Sequence, residues 1–74
     1  MISELEPIVL TDDIPEHKLQ KGDLGTVVLV HAGGKGYEVE FVTLRGETVA
    51  VVTLSSSQVR PVGARELARV RAVA

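Results

Sequence analysis

The chain contains no cysteine and no tryptophan among its 74 residues. Without cysteine there are neither disulfides nor thiolate ligands, which excludes the usual reinforcements of small secreted domains and zinc modules. A chain of this length forms one domain and hides only roughly 60% of the surface that its unfolded form exposes. Hydrophobic burial must therefore stabilise the fold, and association with a second copy would add to it.

Aromatic side chains are nearly absent, since Tyr37 and Phe41 are the only two. Aromatic rings form the platforms on which proteins stack single-stranded bases and the grooves that hold proline-rich peptides. This chain cannot line such a groove. We therefore expect neither recognition of polyproline helices nor binding of single strands by stacking.

Long apolar runs are also missing, because no window approaches the roughly 20 residues that span a bilayer. The first ten residues, MISELEPIVL, carry acids where a secretory signal needs a basic segment. We expect no membrane segment and a cytoplasmic location.

Positive charge is scarce except at the C-terminal end. The formal net charge is −2, but residues 1–59 carry nine acidic and four basic side chains. Residues 60–74 carry one glutamate and four arginines, which are Arg60, Arg65, Arg69 and Arg71. The acidic body repels a phosphate backbone and makes nucleic acid an unlikely partner. The arginines either contact phosphate or an acidic partner, or lie on the solvated side of the tail.

Five short β-type segments, separated by turn signals, predict an all-β protein. The clearest is YEVEFV, where Tyr37, Val39 and Phe41 share one face and Glu38 and Glu40 share the other. Ile14 and Leu19 are expected to fold inward from a long polar connection, and SSSQ to form a helical turn that its serines cap. The predicted strands are residues 8–10, 25–31, 37–42, 48–54 and 59–62.

Two of these strands, TVVLV and TVAVV, place apolar side chains on both faces. A sheet with one protected side would leave valines in water, so something covers the second face. The candidates are closure of the sheet into a barrel, the C-terminal tail, or another subunit. We predict that these valines, or Leu67 and Val70 of the tail, contact a second copy.

The tail, residues 63–74, has an ambiguous pattern. Ala64, Leu67 and Ala68 fall on one face of a helix, and the composition favours a helix. Arginines 69 and 71 also alternate with small apolar residues, as in a strand. We expect a short helix, and treat residues 1–62 as the barrel with the basic tail appended to the same domain.

The segment KGDLGTVV predicts a turn that leads into a strand. Gly22 and Gly25 allow a sharp bend, and Asp23 between them can accept hydrogen bonds from nearby backbone amides. Val27 and Leu29 then continue as a buried strand. A phosphate-binding loop is the less favoured alternative, because such a loop precedes a helix, and Asp23 would repel the anion.

KGDLGTVV resembles the glycine-centred motif of KOW-type barrels, which occur in ribosomal proteins and transcription factors. Residues 5–62 as a whole are similar to a family of small bacterial proteins, a domain of unknown function with an SH3-like fold and no assigned activity. The resemblance implies a five-stranded SH3-like barrel and names no site residue. It ends at Val62, so nothing transfers to the tail.

Groups that could carry chemistry are few. Asp12, Asp13, Glu16 and His17 lack the ligand spacing of a calcium loop, and two histidines without cysteine make a weak zinc site. Ser55–57 lack a nucleophile elbow, and Glu38 and Glu40 are ordinary solvated acids of a strand. We expect no enzyme activity, no cofactor and no metal.

The sequence therefore predicts a non-enzymatic protein-interaction module that associates with itself. Two alternatives stay open. One is an accessory or regulatory factor that binds nucleic acid through its arginine tail. The other is an antitoxin or immunity protein that masks a toxin with its acidic face.

Overall fold

Five strands form one antiparallel sheet. The computed structural model describes residues 2–73, and within that range no helix is long and apolar enough to cross a membrane. Every predicted strand is confirmed, with its ends within one residue of the expected positions. Short 3₁₀ turns occur at Pro15–His17 and Ser56–Gln58. The strands are β1 (Pro7–Leu10), β2 (Leu24–His31), β3 (Gly36–Val42), β4 (Thr48–Ser55) and β5 (Val59–Pro61).

The sheet has the strand order β4-β3-β2-β1-β5. β1 pairs with β2 on one side and β5 on the other, so the first and last strands are neighbours. β4 and β5 are the two edges, and no ladder joins them within residues 2–73. The sheet is therefore open there, and closure into a barrel is not confirmed.

One hydrophobic core draws residues from all five strands. Because both edge strands contribute to the same cluster, the sheet curves around it. The alternation in β3 is confirmed, since its three inward side chains are buried. The cluster consists of Ile2, Ile8, Leu10, Ile14, Leu19, Val27, Tyr37, Val39, Phe41, Val52, Leu54 and Val59.

The polar connection between β1 and β2 contributes two side chains to this core. Ile14 and Leu19 face each other across an isolated antiparallel bridge, and both are buried. Their backbone groups also hydrogen-bond to each other, over 2.9 and 3.1 Å. The prediction that these two residues fold inward is confirmed.

A β-bulge in β2 reverses the predicted faces of its second half. Val27 lies opposite Val39, but the next aligned pair is Leu29 with Glu38, so Val28 is an extra residue. The bulge turns Leu29 outward, where it is 44% exposed, and brings Val30 against the core. The prediction of a buried Leu29 was wrong because one inserted residue exchanges the two faces.

The tail is not a helix. Residues 62–73 form neither helix nor strand, apart from a turn at residues 64–65. A helix of this length is marginal in water without packing along one face. Here Glu66 and Arg71 instead make ion pairs with the body of the protein. These ion pairs, one of them 48 residues apart in the sequence, override the local helix propensity.

Candidate functional site

The turn before β2 is built as the sequence predicts at two of its three positions. Gly22 has a φ of +95°, which favours glycine. Asp23 accepts a hydrogen bond from the backbone N–H of Gln20 over 2.8 Å. Gly25 has a different role from the expected bend. A Cβ there would lie 2.6 Å from Cγ1 of Val39 and 2.7 Å from Cε1 of Phe41, so the core requires glycine.

Asp23 is also the anchor for the C-terminal tail. Nε of Arg71 donates to Oδ1 of Asp23 over 2.7 Å, and Nη2 of Arg71 donates to Oδ2. The same Nη2 donates to the carbonyl of Lys18 over 3.1 Å. Two parallel bonds from a guanidinium to one carboxylate fix both distance and orientation. The tail end is therefore held against the turn that begins β2.

Asp23 and Arg71 each stabilise the charged form of the other. Burial raises the pKa of Asp23, but the hydrogen bonds from Arg71 and the Gln20 amide, together with the charge of Arg71, outweigh it and lower the pKa. The hydrogen bonds that Arg71 donates to Asp23 raise the pKa of Arg71 in turn. The Asp23 side chain is only 17% exposed. Both groups therefore stay charged at neutral pH.

A second arginine–carboxylate pair holds the start of the tail. Arg60 of β5 donates to both carboxylate oxygens of Glu66, each over 2.7 Å. The backbone N–H of Gly63 donates to the same carboxylate over 2.6 Å. The bonds from Arg60, and then that from Gly63, lower the pKa of Glu66 to about 2. The tail is thus fixed to the body at two places, five residues apart.

Between the tail and the outer face of the sheet lies an open cleft of about 760 Å³. Val9 lines it on the sheet side and is buried, although it points away from the core cluster. On the tail side Leu67 and Val70 remain 96% and 79% exposed. Both ion pairs line the cleft. Its apolar lining consists of Pro7, Val9, Leu19, Leu24, Phe41, Val42, Leu44, Val62, Leu67, Ala68, Val70, Ala72 and Val73.

The structure brings most of the predicted contact residues together at this cleft. Arg60, Leu67, Val70 and Arg71 all line it, as does Arg69. Arg65 does not line it. Within residues 2–73, Arg65 and Arg69 take part in no ion pair.

The sequence did not reveal that the turn and the tail form one site. Gly22 and Asp23, assigned to the turn alone, also line the cleft. The sequence showed only that the body is acidic and the tail is basic. Nothing in the pattern selected Asp23 from nine acidic side chains, because its partner is 48 residues away.

The other polar groups that the sequence singled out are engaged in local bonds. Glu38 accepts hydrogen bonds from Thr53 over 2.6 Å and from His31 over 2.7 Å, and these lower its pKa. The serine-rich turn is confirmed as a capping box that starts at Ser55. In residues 2–73 no group of three or more acidic, histidine or cysteine side chains could hold a metal ion.

Fold and site together define a small all-β domain with an acidic body and a basic tail folded across its outer face. Residues 4–61 match the family model described as Domain of unknown function (DUF4926), and the chain belongs to that family. The match ends at the last residue of β5, so the tail lies outside it. No curated protein and no solved structure matches the chain. The resemblance to a domain of unknown function is therefore confirmed, and its SH3-like and KOW-like parts stay predictions.

Proposed function

We propose that the chain is a non-enzymatic protein-interaction module of SH3-like architecture that associates with further copies of itself in the cytoplasm. The position of its exposed apolar side chains carries the proposal. Eleven large apolar residues of the described chain are exposed, and seven of them line the cleft. Scattered surface apolar residues are normal, whereas a cluster of this kind is typical of a contact surface. The seven are Leu24, Val42, Leu44, Val62, Leu67, Val70 and Val73.

A second copy is the partner that this apolar lining favours. A two-fold contact places the same patch on both sides, so the exposed apolar residues of one copy can cover those of the other. The ion pairs at the cleft also favour a protein-contact surface over a catalytic site. Asp23 and Glu66 are both neutralised by arginines, whereas catalysis needs a group that can reach substrate.

Nucleic-acid binding through the tail receives less support. Two of the four arginines, Arg60 and Arg71, are already bound to carboxylates of the chain. Arg65 and Arg69 are left to contact phosphate, and each neutralised phosphate needs its own cation. Salt-sensitive binding of an RNA or DNA oligonucleotide, lost when residues 63–74 are deleted, would contradict the proposed function.

Sedimentation velocity across micromolar concentrations tests the proposal. We expect concentration-dependent association of the wild-type chain. Leu67→Ser/Val70→Ser should weaken it at least tenfold, because this double substitution removes two of the three most exposed apolar groups of the cleft. Val28→Ser/Leu29→Ser changes two exposed residues outside the cleft and should leave it unaltered. A wild-type chain that stays monomeric throughout would overturn the proposal, and equal effects of both double variants would exclude the cleft as the contact.

A further inference from the structure

The two edges of the sheet are protected very differently. β5 is an edge strand of three residues that includes Arg60 and Pro61. Proline has no N–H to offer a neighbouring strand, and a charged side chain disfavours pairing. The tail continues from β5, and its Glu66 holds Arg60. The short length of β5, its charged side chain and its proline are three features by which proteins prevent strand addition.

β4, the opposite edge, has almost none of them. Its eight residues, TVAVVTLS, include no charged side chain and no proline. A register shift opposite the end of β3 makes Val49 an extra residue, but residues 50–55 pair regularly with β3. Within residues 2–73, β4 pairs with no strand except β3. A regular edge of this kind is a template for another strand.

The register shows which backbone groups of β4 face outward. Ser56 donates its N–H to the carbonyl of Lys35 over 3.3 Å. In an antiparallel ladder the hydrogen-bonded positions alternate, so two residues further along, Leu54 and then Val52 direct their backbone groups towards β3. Thr53 and Val51 consequently direct theirs away from the sheet. Within residues 2–73 the N–H and C=O groups of these two residues therefore bond to no strand, and they can pair with a strand of another chain.

We propose that β4 pairs with β4 of a second copy, antiparallel about a two-fold axis, so that one sheet runs through both copies. With the axis at Val52, Val51 of each copy lies opposite Thr53 of the other and can exchange both backbone hydrogen bonds with it. The faces then match, because directly opposite residues in an antiparallel pair lie on the same face. Val51, which is 54% exposed, then lies beside the methyl group of the partner's Thr53 and diagonally across from the partner's Val51.

A second copy fits this edge because the two-fold pairing is self-complementary. Both strands have the same length and the same alternation, and neither brings a charge against the other. The contact rests on the proposed self-association but uses an element separate from the cleft, since no residue of β4 lines it. It also uses backbone hydrogen bonds rather than side-chain burial.

Residue-resolved amide exchange at low and high protein concentration tests the pairing without any substitution. The N–H groups of Val52 and Leu54 should be protected at every concentration, because they bond to β3. Those of Val51 and Thr53 should exchange rapidly in the dilute protein and at least tenfold more slowly in the concentrated one. Rapid exchange of Val51 and Thr53 in a sample shown to be associated would overturn the pairing and leave the proposed function standing.

A pair of lysine substitutions supplies the second test. Val51→Lys places a charge on each of the facing strands and should remove the concentration-dependent protection at Thr53. Val28→Lys changes a comparably exposed valine, 40% against 54%, on the interior strand β2, and should leave that protection intact. Protection that persists in Val51→Lys would contradict the pairing. A wild-type protein that is monomeric at all concentrations would overturn both this inference and the proposed function.

Discussion

The sheet and the tail are held in place by different forces. The sheet encloses twelve buried apolar side chains and has no buried polar or charged residue among those described. The tail leaves its larger apolar residues exposed and is attached by two arginine–carboxylate pairs. Burial of apolar side chains involves neither titration nor charge screening, whereas ion pairs near the surface depend on both. The same chain should therefore respond to perturbation in two separate ways.

The largest effect should come from the core. Leu54 is 2% exposed, and Leu54→Ala should lower the free energy of unfolding by about 2–5 kcal/mol through lost burial and the cavity left behind. That is a large fraction of the about 4–11 kcal/mol expected for a domain of this length. Leu67→Ala, at a 96% exposed position of the tail, should change it by less than about 0.5 kcal/mol. Urea unfolding of both variants at one low concentration measures the difference, and equal losses would contradict the comparison.

A smaller effect should come from a single methyl group at Gly25. Gly25→Ala places a Cβ against the buried side chains of Val39 and Phe41, and we expect a loss of about 1–3 kcal/mol from overpacking. Gly36→Ala is the matched control, because its Cβ would be 3.4 Å from the nearest atom and both glycines lie in strands without positive φ. Thermal unfolding should separate the two variants. A Gly25→Ala protein as stable as Gly36→Ala would contradict this expectation and show that the side chains around Gly25 can move to accommodate the methyl group.

The smallest effect on stability, and the most local one, should come from acid. The pKa of Glu66 is lowered from 4.5 to about 2, and that of Asp23 is also lowered. A lowered folded-state pKa stabilises the attached tail above the ordinary pKa, and this contribution is lost as pH falls towards the folded value. Between about pH 4.5 and 2, NMR signals of Leu67 and Val70 should therefore shift to those of a detached tail.

The control for this titration is Arg60→Gln/Arg71→Gln. This variant lacks both ion pairs at every pH, so its tail signals should already be those of the detached tail at pH 7. Core signals such as those of Val39 should be the same in both proteins at that pH. If the tail of the double variant remains attached at pH 7, apolar contacts rather than ion pairs hold it.

Local patterns predicted the sheet better than they predicted the site. Alternation along β3 identified Tyr37, Val39 and Phe41 as core, because one residue is enough to set the phase of a regular strand. The same rule failed for Leu29, because the bulge at Val28 is imposed by pairing with β3 and has no signature in β2 alone. Helix propensity did not predict the conformation of the tail. Arg71 binds Asp23, which is distant in the sequence, and Glu66 binds Arg60 of β5, and neither ion pair is part of a helical pattern.

The bond between Arg71 and Asp23 joins residues 48 positions apart. It is a bond between side chains and is not part of the backbone ladders between strands. Breaking the two ion pairs would therefore let residues 62–73 separate from the sheet while the backbone hydrogen bonds between strands stay intact, as a sub-global opening. Such an opening would uncover Val9, which is buried outside the core cluster. In that state the wall of the cleft that the strands form would keep its place, and the wall that the tail forms would move.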